Sequence, residues 1–224
     1  MKKTLFLLLA AVLLTSCMGP SFTRQSQYPK FYDEKPTTIL VMPPINNTTN
    51  VEAKDLLYTS ISHPLIEAGY YVVSPHLAME MLKAESAYDA ELFIDRDAAV
   101  FARIFGADAV VFSVIDVWRK KGFGIETKIK YIVKSTATND ILFERTCDLY
   151  LDLGSNNNST NSLLGALVDL AASAIATATT DHIVAARKCN RYIFSDIPRG
   201  RYSPQHLLDQ QTSASARDAA VTVK

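Results

Sequence analysis

The chain has no excess of charge of either sign. Its 224 residues include 23 Lys and Arg against 23 Asp and Glu, so its formal net charge is zero. No long run of one sign concentrates charge locally. A protein that binds nucleic acid needs a positive surface to attract phosphates, so we expect no nucleic-acid partner.

The sequence also lacks the short motifs of common active sites. It contains no G-x-S-x-G elbow, Walker loop, G-x-G-x-x-G fingerprint or H-E-x-x-H pair. The four histidines, His63, His76, His182 and His206, have no second His or Cys at close ligand spacing. We therefore expect no catalytic residues, no metal site and no cofactor.

Two polar clusters have alternative interpretations. Asp95 and Asp97 could form a catalytic carboxylate pair, but both fall in the first turn of a predicted helix, where acids complement the helix dipole. The loop Asn46 to Thr48 precedes another helix and could hold an anion on backbone amides. That loop has no basic residue to support such a site, and capping explains the aspartates without any chemistry.

The sequence has no apolar run long enough to span a bilayer. The longest, Leu5 to Leu14, falls well short of the roughly 20 residues that a transmembrane helix requires. It follows Lys2 and Lys3, and it ends in the box Leu14-Thr15-Ser16-Cys17. This arrangement resembles the signal of bacterial lipoproteins. The resemblance implies that residues 1–16 are removed and that Cys17 carries acyl chains.

Residues 17–36 are polar and contain Pro20, Pro29 and Pro36, a composition that predicts a tether between lipid and domain. Met18 follows the cysteine, where many lipoproteins retained at the inner membrane have aspartate. By resemblance to those sorting signals, we expect a lipid-anchored outer-membrane protein whose domain faces the periplasm.

Residues 37–197 carry the pattern of one α/β domain. Apolar and β-branched runs predict strands at Thr37 to Met42, Tyr70 to Ser74 and Ala109 to Trp118. Helical periodicity predicts helices between them, at Ala53 to Ala68, Pro75 to Lys83, and from Asp95, as the N-cap, to Gly106. Strands that alternate with helices indicate a sheet with helices on both faces.

After Trp118 the pattern changes to antiparallel strands. Alternation predicts strands at Ile125 to Lys134 and Ile141 to Leu153, each with one inward face. An apolar stripe predicts a long helix from Ser162 to Arg187. The predicted fold is therefore a mixed α/β sheet with antiparallel C-terminal strands and a long C-terminal helix. Residues 198–224 are polar and rich in Ala and Ser, which predicts a loosely ordered tail.

Cysteine is scarce, with three residues in the chain. Cys147 lies on the inward face of its strand, and Cys189 is expected just after the helix that covers this strand. In the oxidising periplasm the two could form a disulfide, which we expect. Unpaired buried thiols are the alternative.

Several stretches carry a resemblance to a known family. They are Ile39-Leu40-Val41-Met42-Pro43-Pro44 with Asn46-Asn47-Thr48, Ser62-His63-Pro64-Leu65, and Phe105-Gly106-Ala107-Asp108-Ala109-Val110-Val111. Together they resemble a family of periplasmic lipoproteins typified by a meningococcal genome-derived surface antigen. More distantly, the order of elements is similar to the TolB N-terminal domain and to the periplasmic domain of the curli secretion lipoprotein. The resemblance implies a TolB-like fold and no established catalytic residues.

These observations favour a noncatalytic accessory protein of envelope assembly, secretion or transport, with envelope proteins as partners. An envelope enzyme without a motif-based active site and a peptidoglycan-binding anchor are the alternatives. We also expect a homo-oligomer, formed through an open sheet edge or through the small residues from Ala171 to Ala178 on the long helix. Close packing of those residues on the chain's own sheet would explain them equally well.

Overall fold

The computed structural model describes residues 22–86, 89–122, 124–152, 178–215 and 218–223. The described residues form a seven-stranded mixed sheet with helices on both faces. The strands are β1 Thr38–Val41, β2 Ile45–Asn46, β3 Tyr71–Val72, β4 Ala109–Lys121, β5 Gly124–Ser135, β6 Ile141–Asp152 and β7 Asp218–Val223. The helices are α1 Arg24–Gln27, α2 Pro29–Glu34, α3 Ala53–Glu67, α4 Pro75–Ala84, α5 Ala99–Phe105 and α6 Ala178–Phe194, with a 3-10 turn at Ala90–Leu92.

The sheet has the strand order β3-β1-β4-β5-β6-β7, and β2 also pairs with β4. Strands β1 to β4 pair in parallel, β4 to β6 pair antiparallel, and β7 is parallel to β6. Parallel neighbours require crossover helices, whereas the antiparallel strands are joined by short turns. The predicted mixed α/β fold is confirmed.

Alternating residues of the central strands supply a core on each face of the sheet. Ile39 and Val111 enter the core that α2, α3 and α6 cover. Leu40 and Val110 enter the opposite core, which α4, α5 and the 3-10 turn cover. Because both faces are covered, β1 and the first half of β4 are apolar at nearly every position.

The predicted helix at Ala53 is present, and α3 continues through Pro64 to Glu67. Gly69, two residues beyond the end of the helix, has a φ of 94°. A side chain there would collide with the backbone of Ser203. Glycine therefore allows both the left-handed turn and the close approach of the Ser203 backbone.

Strand β5 shows the predicted alternation, with one exception. Ile129, Tyr131 and Val133 are buried, while Lys128 is exposed. Lys134 was expected in water but is buried at the end of the strand. Its ammonium group donates hydrogen bonds to the carbonyl oxygens of Ile94 and Arg96, at 3.1 and 2.9 Å. These oxygens replace the solvent that a charged group otherwise needs.

A register irregularity shifts the start of β6. The pairing slips between Val133 and Lys134, so Leu142 is buried and Ile141, which was predicted to face inward, is exposed. A bulge inserts one residue and moves the side chains beyond it to the other face. From Phe143 onward the predicted alternation holds, which places Cys147 in the core.

The predicted tether is too long. Residues 22–36 fold onto the domain, where Tyr28, Phe31 and Tyr32 are buried. The ring of Tyr28 lies 4.7 Å from that of Phe143, centroid to centroid. Three buried aromatic side chains contribute enough apolar area to hold this short segment in place, although it has no helical periodicity.

The prediction of a loosely ordered tail is also wrong. Residues 198–215 form successive tight turns against the domain, and Asp209 is buried among them. Strand β7 then pairs with β6 from Thr146 to Leu151. The sheet edge at which a second copy was expected is therefore covered along this stretch by the chain itself. No helix within the described ranges is both long and apolar enough to cross a membrane.

Candidate functional site

The main candidate site is a groove of about 350 Å³ between α3 and α6, which we call the α3–α6 groove. Its volume falls within the range of small-ligand sites. The lining residues are Thr59, Ser60, His63, Pro64 and Glu67 on α3 and Arg187 and Arg191 on α6.

The rim of the groove carries more positive than negative charge. Arg187 and Arg191 are exposed, and they lie one turn apart on α6. Neither guanidinium pairs with a carboxylate among the described residues. His63 Nδ1 lies 3.6 Å from Glu67 Oε2, and both side chains extend into solvent. Two free guanidinium groups on one face suit carboxylates, which they can bind through paired hydrogen bonds.

A buried hydrogen-bond chain leads inward from Ser60, one of the residues that line the groove. The Tyr131 hydroxyl donates to Asn190 Oδ1 at 2.6 Å, and Asn190 Nδ2 donates to Ser60 Oγ at 3.0 Å. Desolvation by burial raises the pKa of Tyr131 well above its ordinary value, so the hydroxyl remains a donor at neutral pH. The chain connects β5, α6 and α3, which fixes the spacing of the two helices.

Ser60 has no general base to activate it. Its hydroxyl donates to the carbonyl oxygens of Leu56 and Leu57, at 3.0 and 3.1 Å, and accepts from Asn190. A serine nucleophile needs a base in hydrogen-bond contact with its oxygen. Among the described residues Ser60 therefore serves as a structural contact between α3 and α6.

The two buried cysteines meet beneath the groove. Cys147 Sγ and Cys189 Sγ are 3.4 Å apart, and both residues are free thiols in the structure. Cys189 lies inside α6, which continues to Phe194, so it does not follow the helix end as predicted. Desolvation by burial raises the pKa of the Cys189 thiol, which keeps it protonated in the reduced protein. The disulfide between them stays a prediction.

The structure separates the two aspartates proposed for capping. Asp97 Oδ1 accepts the backbone N–H of Ala99 at 2.9 Å, whereas Asp95 is exposed and makes no such contact. The N-cap of α5 is Ala98, whose N–H bonds Asn139 Oδ1 at 3.2 Å. Asp95 as the N-cap is therefore wrong, because the chain makes another turn before the helix begins.

The asparagine loop after β2 uses its own polar groups. Asn50 Oδ1 accepts the backbone N–H groups of Glu52 and Ala53 at the start of α3, at 3.0 and 3.1 Å. Asn46 Oδ1 accepts the N–H of Thr48 at 3.1 Å. These amides are occupied by side chains, so they do not form the anion site that was considered for this loop.

The four histidines occupy separate environments. His182 is buried and stacks on Trp118, with ring centroids 5.8 Å apart. His206 Nδ1 lies 2.8 Å from the carbonyl oxygen of Arg199. His63 lines the groove, and His76 is exposed at the start of α4. In the described part of the chain no group of three His, Cys, Asp or Glu residues could hold a metal ion.

Two buried ion pairs were missed from the sequence. Arg145 pairs with Asp196, and Arg24 pairs with Asp209, each at 2.8 Å. Strand alternation could have indicated the first, because Arg145 occupies an inward position between Phe143 and Cys147. Nothing in the pattern around Arg24 marks it as buried.

Comparisons with known proteins agree on one family. The sequence profile of the family described as "Putative lipoprotein GNA1162-like" matches residues 26–200. The chain is 31% identical over 185 residues to "Putative lipoprotein NMB1124/NMB1162" of Neisseria meningitidis serogroup B, covering 80% of this chain and 84% of that protein. The family predicted from the sequence is confirmed.

One solved structure shows a similar fold, and a second one is matched more weakly. The crystal structure of lipoprotein GNA1162 from Neisseria meningitidis matches with a TM-score of 0.50 and 24% identity, over 61% of this chain and 95% of that one. The PelC dodecamer from Paraburkholderia phytofirmans matches with a TM-score of 0.40 and 13% identity, over 80% of this chain and 93% of that one.

Proposed function

Because the chain belongs to the GNA1162-like lipoprotein family, we propose that it is a noncatalytic accessory protein of the cell envelope, anchored by acyl chains on Cys17. The anchor holds the domain on the periplasmic side of the outer membrane. There the protein recruits envelope proteins for assembly, secretion or transport. The signal-like residues before Cys17 and the family's lipoprotein description support this proposal.

One structural observation supports binding rather than catalysis. The polar side chains capable of chemistry in the core include Tyr131, Ser60, Cys189 and Arg145, and each contacts a neighbouring side chain or the backbone. They connect the helices to the sheet, and of the four only Ser60 lines the α3–α6 groove. By contrast, the α3–α6 groove presents its charged groups to solvent on a fixed frame.

The groove favours an acidic segment of a partner protein. Arg187 and Arg191 lie one helical turn apart, a spacing that matches two carboxylates on one face of a peptide. Thr59 adds an exposed hydroxyl on the opposite wall. The single carboxylate of the rim, Glu67, lies 3.6 Å from His63 Nδ1.

The anchor is tested by Cys17→Ala in the full chain. The variant should lose acyl labelling and stay unprocessed by the lipoprotein route, because the acylated thiol is missing. Cys189→Ser is the matched control, since it removes a thiol outside the signal and should keep its label. Labelling that persists in the Cys17→Ala protein would refute the anchor.

Partner recognition is tested by placing a photo-crosslinking amino acid at Thr59 in living cells. We expect capture of an envelope protein that is lost with Arg187→Glu and Arg191→Glu together. Arg103→Glu, an exposed arginine on α5 behind the opposite face of the sheet, should leave capture unchanged. Equal loss with Arg103→Glu would mean that charge alone, and not the groove, governs the contact.

The two alternatives are tested on the non-acylated protein. Turnover in an unbiased substrate screen that is abolished by one groove substitution would favour an enzyme. Sedimentation with purified cell wall that the arginine substitutions do not weaken would favour a peptidoglycan anchor.

A further inference from the structure

The first and last parts of the described domain run side by side. Ala214 N donates to the carbonyl oxygen of Phe22 at 2.7 Å, and Arg24 N donates to that of Thr212 at 2.9 Å. An isolated antiparallel bridge joins Thr23 and Ser213. Residues 22–25 and 199–214 thus form one surface, which we call the terminal surface.

The terminal surface lies a short chain length from the anchor. This step rests on the proposed function, in which Cys17 is acylated. Residues 18–21 separate Cys17 from Phe22, so five Cα steps reach at most about 18 Å even when fully extended. The headgroup layer of one leaflet takes up about 6 Å of that reach. A domain of this size is about 40 Å across, so the face that carries Phe22 has to point toward the membrane.

The exposed side chains of this surface suit a lipid interface. Phe22, Tyr202 and Leu208 are large apolar residues with 42%, 69% and 79% of their surface exposed. Burial of such residues in the interface removes apolar area from water. Tyrosine is enriched at membrane interfaces, where its ring lies in apolar surroundings and its hydroxyl in water.

The charges of the terminal surface also suit contact with a membrane. Its one carboxylate, Asp209, is 3% exposed and pairs with the buried Arg24. Arg201 is exposed, and Arg199 is partly exposed. A surface with exposed cations and no exposed carboxylate can approach anionic headgroups without repulsion.

The turn that presents Leu208 is held firmly. Asp209 Oδ2 accepts the backbone N–H of Arg199 at 2.9 Å and also binds Arg24. Leu207 has a φ of 59°, a left-handed conformation that costs energy for a residue with a β-carbon. The backbone thus keeps Leu208 pointing outward at an energetic cost.

We propose that the terminal surface is a membrane-contact surface, with Leu208 and its neighbours seated in the headgroup region of the leaflet that holds the lipid on Cys17. The acyl chains supply attachment, and the terminal surface sets the orientation of the domain. The α3–α6 groove is then held at a defined height above the membrane.

The proposal is tested with the full acylated protein in vesicles of phosphatidylethanolamine and phosphatidylglycerol. A polarity-sensitive fluorophore is attached to Leu208→Cys, or for comparison to Leu92→Cys. Leu92 is 51% exposed in the 3-10 turn, which packs on the opposite sheet face. Both native core thiols are buried, so labelling occurs at the introduced cysteine. Flotation with the vesicles reports the anchor separately.

We expect the probe at 208 to shift its emission to shorter wavelength on vesicles and to be quenched by a nitroxide lipid. The probe at 92 should show neither effect. If the protein floats but the two probes behave alike, the membrane contact is wrong and the anchor stands. If the protein does not float, the anchor itself is wrong. A shift at 208 without lipid quenching would assign this surface to contact with a second copy of the chain and overturn the proposal.

Discussion

Removal of the Asp196 carboxylate tests whether the C-terminal turns are part of the folded core. Asp196 Oδ2 binds the guanidinium of Arg145 at 2.8 Å and accepts the N–H of Ser215 at 2.7 Å. Arg145 is fully buried on the inward face of β6. Asp196→Ala therefore removes a carboxylate that lies 2.8 Å from this buried guanidinium.

The expected destabilisation is about 3–5 kcal/mol, the cost of removing one partner from a buried ion pair. Arg145 keeps its bond to the carbonyl oxygen of Ile193 at 3.2 Å and its contact with the Tyr192 ring. These contacts place the expected loss near the lower end of that range. With a urea slope of about 3 kcal/mol per M, the unfolding midpoint should fall by about 1 M or more.

Urea unfolding of the non-acylated protein measures this loss. The single tryptophan, Trp118, is buried against His182, so its fluorescence reports the folded state. Glu144→Ala is the control, because Glu144 pairs with Lys130 at 2.5 Å on the solvent side of the sheet. Such surface pairs contribute about 1 kcal/mol or less. If Asp196→Ala lowers the free energy of unfolding by less than about 1 kcal/mol, the buried ion pair does not hold these turns on the domain.

Three further predictions concern the core and the assembly. Oxidised protein should contain a disulfide between Cys147 and Cys189. Closing the loop between these two residues would stabilise the fold by about 4 kcal/mol. Two alkylatable core thiols in unreduced protein would contradict this prediction. Burial raises the pKa of Tyr58 to about 12. The unfolded protein therefore releases the Tyr58 proton at lower pH than the folded protein, so the free energy of unfolding should fall as pH rises from about 10 to 12. The Tyr58→Phe variant should lose less stability over this range, as measured by unfolding at each pH. The wild-type protein should sediment as an oligomer at tens of micromolar, a concentration high enough to populate even a weakly associating complex. The Ala172→Glu and Ala176→Glu double variant should be a folded monomer, whereas an unfolded variant would place these alanines on the chain's own sheet.

Residues 171–177 lie outside the described residues, so the alanine-based interface stays a prediction. The oxidised pair is also untested, although the short distance between the two sulfur atoms is compatible with it. The tyrosine prediction depends on the described structure, in which the Tyr58 hydroxyl donates to the carbonyl oxygen of Pro75 at 2.9 Å.

Local patterns allowed most of the elements to be predicted. Apolar runs around Ile39 and Val110 specify strands that are covered on both faces, and the alternation around Ile129 specifies a strand with one solvated face. These patterns arise from the repeat of side chains along a strand or helix, so they can be read without knowing what packs against them. The apolar stretch before Cys17 and the stretches that resemble the family are likewise local.

The groove and the terminal surface could not be predicted in this way. Arg187 and Thr59 are more than a hundred positions apart, and only the packing of α6 on α3 brings them to one opening. The same holds for Arg24 and Asp209, which look like ordinary surface residues in the sequence. Contacts between distant segments depend on the relative placement of whole elements, and periodicity carries no information about that placement.

The sequence alone thus predicted an export signal and determined the family and most of the strands and helices, because each depends on residues that are close together in the chain. Tertiary structure decided where the polar residues go. It turned the predicted tether and tail into packed segments, since Phe31 and Asp209 find partners only when both ends of the domain meet the sheet. It also joined residues 22–25 to residues 210–214 by backbone pairing, although the two segments are almost two hundred positions apart.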